Sequence, residues 1–450
     1  MSLARDELTS SRKALSDVFA NGALRRVFLA FGGSLIGDGV FALSAVVYAY
    51  RHGGATAVGI LAVVRYVAIA TAAPLTSTLA DQYDRKSVMV VSDLVRLVLV
   101  VLAAVAVGLD ASRWLVFGLI VVVGLAGTAF RPAQASILPR LSTNDGELSG
   151  ANVVSSTIES VGFFAGPAVA GFLLAFTNIA TAFAFDALTF AWSALIVLSI
   201  RRPTHEGVAP GGATDSADAP KAESFLVRAS QGFRLVAKNR DLSVLVALYV
   251  LQCVVAGASA VFTVVIAIHL LHIGSSGLGL MEATLGVGGL IGGFVALALA
   301  ERARMASDFG RGVIVWAAPL VLIALWPSLG SALVVMWLIG AANSVVDVNA
   351  ITVLQHVVPN ERLARVLGAL EAAEVGGMAL GSLAMTVLIH AVGLRDGLAL
   401  IGVVVSLAVL PGLPAMRRID EAAFAEGVVH RPGAHQGPRH LHHLRWRHAR

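Results

Sequence analysis

Long apolar runs, separated by short polar breaks, dominate the chain from residue 27 onward. Twelve of them have the roughly 20 residues a helix needs to cross the hydrocarbon core of a bilayer: 27–50, 56–80, 88–108, 114–130, 150–175, 179–199, 242–268, 276–300, 311–327, 331–354, 365–390 and 394–415. Lipid offers no water to a backbone N–H or C=O, and a helix pairs these groups internally. Runs such as Leu97–Leu109 lack the alternation of a membrane β-strand. The pattern predicts an all-α integral membrane protein with twelve transmembrane helices. A polar stretch rich in Pro, Gly, Ala and Asp, including TDSADAPKAES, divides them into two six-helix bundles.

Composition sharpens this picture. Only 14% of the 450 residues are charged and 57% are hydrophobic, against about 25% charged in soluble domains. The mean hydropathy is +0.81. The 45 glycines show no collagen period, which suits close helix–helix contacts through small residues.

Charge sets the expected orientation. Arg51, Arg113 and Arg395 fall on one face, and Arg65 and Arg96 fall inside helices. The other 28 of the 33 Lys and Arg lie on the face of the N-terminus. The positive-inside bias places that face, and both termini, in the cytoplasm of a cell that carries the protein in its plasma membrane. It also accounts for a pI near 9.7 without nucleic acid as a partner, because the basic residues spread along a membrane face and form no single soluble patch. The expected organisation is a cytoplasmic N-terminus (1–26), a bundle (27–200), a cytoplasmic linker (201–241), a second bundle (242–416) and a basic, His-rich cytoplasmic tail (417–450). About 25 polar residues precede the first run, too many for the short basic region of a signal peptide, so the first helix is expected to remain. The single cysteine, Cys253, excludes an intrachain disulfide.

The halves resemble each other. A shift of 215 brings Leu148, Glu159, Gly162 and Gly166 onto Leu363, Glu374, Gly377 and Gly381. A shift of 220 brings Gly59, Ala80 and Asp81 onto Gly279, Ala300 and Glu301. Parallel repeats of six helices place a substrate site near the midplane between the halves.

Ionisable residues within spans are the candidate chemistry, since a carboxylate at mid-membrane costs about 2.5–3.5 kcal/mol on insertion scales. Asp38 lies near the middle of span one, and Arg65 in span two is its expected partner. Burial disfavours the charged form of a carboxyl and a nearby arginine favours it; that balance makes Asp38 the first candidate for proton exchange, with a permanent Asp38–Arg65 pair as the alternative. Glu159 shares a helix face with Asn152 and Ser155, and Asp347 follows Asn343 by one turn. Glu282, Glu371 and Glu374 are weaker candidates, Asp186 fits either a structural or a functional role, and Asp93 with Arg96 is expected to brace the neighbouring loop.

Three segments carry a family resemblance. STLADQYDRKSVMV, Ser77–Val90, is similar to the loop signature of the major facilitator superfamily, with Leu79, Ala80, Asp81, Arg85 and Lys86 matching and Ser77, Gln82 and Asp84 departing. GFFAGPAVAG, Gly162–Gly171, resembles the antiporter motif of that superfamily through Gly162, Gly166, Pro167 and Gly171. FRPAQASILPRL, Phe130–Leu141, resembles the exit of span four in the macrolide-efflux and enterobactin-exporter branch. The resemblance implies a cytoplasmic gate formed by Asp81, Arg85 and Lys86, with the aspartate near a helix N-terminus of the other half, where the dipole favours an anion. It implies export through the Gly162–Gly171 motif. One departure stands out: many drug/proton antiporters carry an arginine within span four, whereas here the first is Arg131 at its end, so either Arg65 takes that role or the coupling differs.

No Gly-x4-Gly-Lys-Ser/Thr motif is present, which argues against ATP-driven transport and enzymatic activity. The histidines outside the tail lack metal-ligand spacing, so no metal or other cofactor is expected. The tail suits a disordered basic segment, or contact with a metal or anionic headgroups. Together these features point to a proton-driven exporter of small amphiphilic molecules such as a drug, macrolide or siderophore, acting as a monomer, with protons and lipid as its other partners. Phe41, Phe163 and Trp337 are candidate cavity residues. Proton-coupled nutrient uptake and a transporter-like membrane sensor are the alternatives.

Overall fold

A computed structural model describes residues 18–200, 232–300, 304–358 and 360–425. The side chains of 73–82 and 163–164, among others, lie outside the described residues, as do most of the expected linker and the tail from 426 onward. No strand occurs among the described residues.

The first half comprises α1 (Gly22–Gln82), α2 (Arg85–Gly108), α3 (Arg113–Gly127), α4 (Phe130–Leu141), α5 (Asp145–Phe176) and α6 (Ile179–Leu198). The second comprises α7 (Arg240–Val265), a π turn (Ile266–Leu270), α8 (Gly274–Ala300), α9 (Met305–Ala317), α10 (Leu320–Leu325), α11 (Leu329–Val357), α12 (Asn360–Val392), α13 (Leu394–Val409) and α14 (Leu413–Ala425). Eleven continuous helical segments are long and apolar enough to span a bilayer. The first of them holds two spans. Its helical path breaks at Gly53 and Gly54, where Gly54 takes φ 60 and ψ −157, a region open essentially to glycine alone. The two arms of α1 are therefore spans one and two, and the bend makes twelve spans.

Two helices extend beyond their expected limits. Residues 130–141, read as the start of a loop, form α4. Its apolar stripe of Phe130, Ala133, Ile137, Leu138 and Leu141 is buried, and its polar remainder hid it from a hydropathy reading. At the other end, helix continues past Met416 into α14. There Asp420 accepts hydrogen bonds from Ala306 N (2.9 Å), Ser307 N (3.0 Å) and Ser307 Oγ (2.5 Å). This carboxylate caps α9, which consequently begins at Met305 and not at 311. Side-chain caps from Asp84, Asn144, Asn178, Asn239 and Ser328 start α2, α5, α6, α7 and α11.

The repeat seen in the sequence is reproduced in the packing. Gly166 of α5 lies against Gly39 of α1, and Gly381 of α12 lies against Val254 of α7; the second pair is the first shifted by 215 at both positions. Between the halves, Gly171 of α5 meets Gly279 of α8, and Gly59 of α1 meets Thr386 of α12. Shifts of 215 and 220 again convert one contact into the other. The halves thus interlock through two equivalent contacts, each made possible by a missing side chain.

Outside, large apolar residues stay uncovered, among them Val98, Leu102, Val105, Phe172, Leu195 and Phe294. A belt of this extent is a lipid-facing surface. Trp114 and Trp326 stand exposed at helix ends on one common face, where amphipathic rings anchor at the interface.

Candidate functional site

A polar cluster crosses the interior of the first half. Arg96 of α2 is its centre. Its Nη2 donates to Asp93 Oδ1 at 2.6 Å, and its Nη1 reaches Asp38 Oδ1 at 3.2 Å and Oδ2 at 3.3 Å. Asp93 is sealed, and Ser193 Oγ of α6 donates to its second oxygen at 2.6 Å. The guanidinium lies over the Phe190 ring at 4.1 Å and the Phe130 ring at 5.1 Å, so aromatic faces cover what carboxylates do not. Asp38 differs from Asp93 in access: its side chain is 43% exposed. The expected Asp38–Arg65 pair is not formed. Arg65 acts on Asp38 only through space, and its Nε has no hydrogen-bond partner among the described residues. Nor do Asp93 and Arg96 serve only the adjacent loop. One turn apart on α2, they face inward, and Arg96 stands beside Asp38 where Arg65 was expected.

Asp186 completes the cluster from α6. It is fully buried, and it interacts electrostatically with Asp38, Asp93 and Arg96. Gly37 makes the room, since a Cβ there would collide with Asp186 and Thr189.

Glu159 pairs with Arg131 of α4 at 2.6 Å, with both side chains partly exposed. One turn along, Gln134 donates to Ser155 at 3.3 Å. Asn152, on the same α5 face, is exposed.

The second half holds a different cluster at the corresponding depth. Asn343 Oδ1 accepts from Gln252 Nε2 at 2.9 Å and from Trp316 Nε1 at 3.1 Å. The amide is thereby oriented, and its Nδ2 donates to Asp347 at 2.8 Å. Tyr249 donates to Glu374 at 3.3 Å. Arg96 shifted by 220 is Trp316, so an indole donor replaces the guanidinium. Glu374, the repeat equivalent of Glu159, receives a tyrosine hydroxyl in place of an arginine. Gln252 and Trp316 escaped the sequence reading because one such residue in an apolar span carries no motif; the alignment of Trp316 with Arg96 was the available signal.

The loop signature divides. Asp84 caps α2 by accepting from Ser87 N at 3.1 Å and Ser87 Oγ at 2.9 Å, which accounts for an aspartate where the family carries glycine. Lys86 Nζ donates to the carbonyls of Leu198 (2.9 Å) and Ile200 (2.7 Å) at the end of α6, a placement the helix dipole favours. The Nε of Arg85 is buried without a partner among the described residues. The side chain of Asp81 lies outside the described residues. At the opposite face three hydrogen bonds among the described residues join the halves: Thr386 Oγ to Ala55 O (3.5 Å), Ser275 Oγ to Leu174 O (3.5 Å), and one between Thr56 Oγ and His390 Nε2 (3.3 Å).

The glycine motif has a clear packing role. Gly162 seats Leu35, Gly166 seats Gly39 and Gly171 seats Gly279, so α5 holds α1 through its first two glycines and the other half, from roughly the opposite side, through the third. Pro167 lies inside the continuous helix between these contacts and withholds one backbone donor. Of the candidate cavity residues, Phe41 is buried against Phe183 at 4.7 Å and is core. Trp337 is partly exposed, and the Phe163 side chain lies outside the described residues.

Two repeated bundles of six spans, with polar clusters inside and a lipid-facing belt outside, have the architecture that alternating-access transporters share. The chain matches the Major Facilitator Superfamily over residues 27–311 and belongs to it. It is 25% identical over 210 residues to an uncharacterized MFS-type transporter, YvqJ, of Bacillus subtilis (46% of this chain, 48% of the relative). It is 24% identical over 212 residues to macrolide efflux protein A of Streptococcus pyogenes (46% and 50%). The chain thus spans about half the length of the curated relatives it matches. Among solved structures it superposes on a POT family transporter in complex with 5-aminolevulinic acid, with a TM-score of 0.71 at 13% identity over 88% of this chain and 96% of the other. The nucleoside transporter NupG gives 0.67 at 13% identity over 89% and 99%. At this identity the likeness is one of fold.

Proposed function

We propose that this transporter exports small amphiphilic compounds such as drugs, macrolides or siderophores in exchange for protons, from a cell membrane in which both termini face the cytoplasm. The observation that carries the reading is the Asp38–Arg96–Asp93 cluster. A half-open carboxylate held by long hydrogen bonds to a sealed guanidinium can accept a proton, and the arginine keeps its second partner when it does. The tight Arg96–Asp93 bond holds the cation in place, so protonation of Asp38 changes the charge of the cluster without dismantling it. Glu159 with Arg131 is a second, more exposed pair of the same type, and Asp347, oriented by Asn343, is the second-half candidate. The Gly162–Gly171 motif and the likeness to macrolide efflux protein A support export as the direction. Asp81, Arg85 and Lys86 form the proposed cytoplasmic gate, and the chain works as a monomer.

The test uses proteoliposomes, an imposed pH gradient and fluorescent dye extrusion. Asp38→Asn abolishes gradient-driven extrusion, and Glu159→Gln reduces it. Wild-type flux left unchanged by both substitutions refutes the coupling assignment, and a wild-type protein that moves no dye or drug refutes efflux.

A further inference from the structure

Two buried atoms in the first-half cluster lack hydrogen-bond partners among the described residues: Asp186 Oδ2, an acceptor, and Arg96 Nε, a donor. Leaving a buried polar atom unmet is costly, because its bond to water is lost and nothing replaces it. Here the two are complementary and belong to residues that interact with each other. The other polar contact of Asp186 is weak. The Thr189 hydroxyl lies 3.2 Å from Oδ1 but 2.8 Å from the Asp186 carbonyl, and its one hydrogen serves either. Asp186 is as fully enclosed as Asp93, and it is the one carboxyl of the cluster with no ion pair among the described residues.

If every group is ionised, three carboxylates surround the single guanidinium that the cluster bonds. Asp38 arrives from α1, Asp93 and Arg96 from α2, and Asp186 from α6. Arg65 and Arg131 act on Asp38 through space. Arg96 is committed to Asp93 at 2.6 Å and reaches Asp38 only at 3.2 Å. A third, sealed carboxylate would then stand beside two others with no cation of its own, and an isolated buried charge of that kind is neutralised instead.

We propose that Asp38 and Asp186 share one exchangeable proton, and that Arg96 moves between them as the proton changes place. In the present arrangement the proton is on Asp186 and Arg96 bridges Asp93 and Asp38. In the other, the O–H bond on Asp186 is broken and one on Asp38 is formed. Arg96 then releases Asp38 and donates to Asp186, which satisfies both lone atoms. The charge of the cluster is unchanged by the transfer, and its link to Asp93 persists throughout. Asp38, the more exposed of the two, exchanges the proton with water, and Asp186 holds it out of reach of either face. Asp186 is thus an occluding proton site, which a coupled transporter requires to avoid a leak. The inference rests on the proton-coupling reading of Asp38, but its test needs no transport.

The measurement is the infrared carbonyl stretch of protonated carboxyl groups in purified wild type, Asp186→Asn and Asp38→Asn at neutral pH. The wild type carries a band that Asp186→Asn lacks. Asp38→Asn lacks it as well, because Arg96 then pairs with an ionised Asp186. Retention of the band in Asp38→Asn makes Asp186 a permanently neutral structural acid and overturns the proposal, as does a wild type from which Asp186→Asn removes no band. Asp186→Glu, which keeps the carboxyl, guards against misfolding and retains the band. A correct infrared pattern with unchanged gradient-driven flux in Asp38→Asn would sink the coupling reading and leave the shared proton standing.

Discussion

Asp93 and Arg96 show how much a single residue's meaning depends on its neighbours. In the sequence they are two charges one turn apart near the end of a span, and local bracing is the simplest reading. Packed, they become the anchor of a cluster that reaches three helices. Removing the cation should therefore be costly. Arg96→Ala leaves the fully buried Asp93 without its partner, and loss of one member of a buried pair costs about 3–5 kcal/mol. A large fall in the unfolding temperature in detergent is expected, partly restored in the double variant Arg96→Ala with Asp93→Asn. Arg65→Ala, which breaks no ion pair, is expected to shift it far less. Arg65 was the natural candidate partner for Asp38, because residues in adjacent spans separated by a short turn are usual neighbours. In the folded chain Arg96 of α2 is the partner instead.

At the scale of elements, two glycine sites decide the geometry. Gly54→Ala places a side chain in a backbone region costing about 1–3 kcal/mol, and should destabilise the bend between spans one and two by that amount in thermal unfolding. Gly171→Val acts between the halves. Even the first carbon added at 171 would lie 2.6 Å from Gly279 Cα, well inside contact distance. The expected result is an opposite face that no longer closes. Cysteines placed at 174 and 275 in a Cys253→Ser background should cross-link readily in the otherwise native protein and poorly with Gly171→Val. Equal cross-linking in both would rule out this contact as the closure. Most spans were legible as elements because their apolar runs match membrane thickness. The helix α4 and the start of α9 were not, since an amphipathic stripe and the distant Asp420 cap, respectively, determine them.

For the whole molecule, charge makes a definite prediction about orientation. Tyr83, exposed between α1 and α2 on the basic face, and Ala111, between α2 and α3, lie at opposite membrane surfaces. In intact cells a membrane-impermeant thiol reagent should label Ala111→Cys, and should reach Tyr83→Cys only after permeabilisation. The reverse pattern would place the basic face outside, against the positive-inside bias. The repeat adds a second whole-molecule statement. The contacts 171 with 279 and 59 with 386 are equivalent under it, so substitutions at Gly59 and Gly171 should have similar effects on closure.

The sequence alone determined the membrane environment, the twelve spans, the division into related halves and the superfamily, because hydropathy, helix length and repeat register are properties of the chain taken in order. It also singled out Asp38, Glu159 and Asp347 as costly charges that need an explanation. Only the tertiary structure decided which groups meet. It replaced Arg65 by Arg96 at Asp38, gave Glu159 to Arg131, oriented Asp347 through Asn343, Gln252 and Trp316, and drew Asp186 into the first cluster. Pairing of buried charges is set by side-chain direction and by the space that glycines such as Gly37 leave open, and neither is written in the order of residues along any one span.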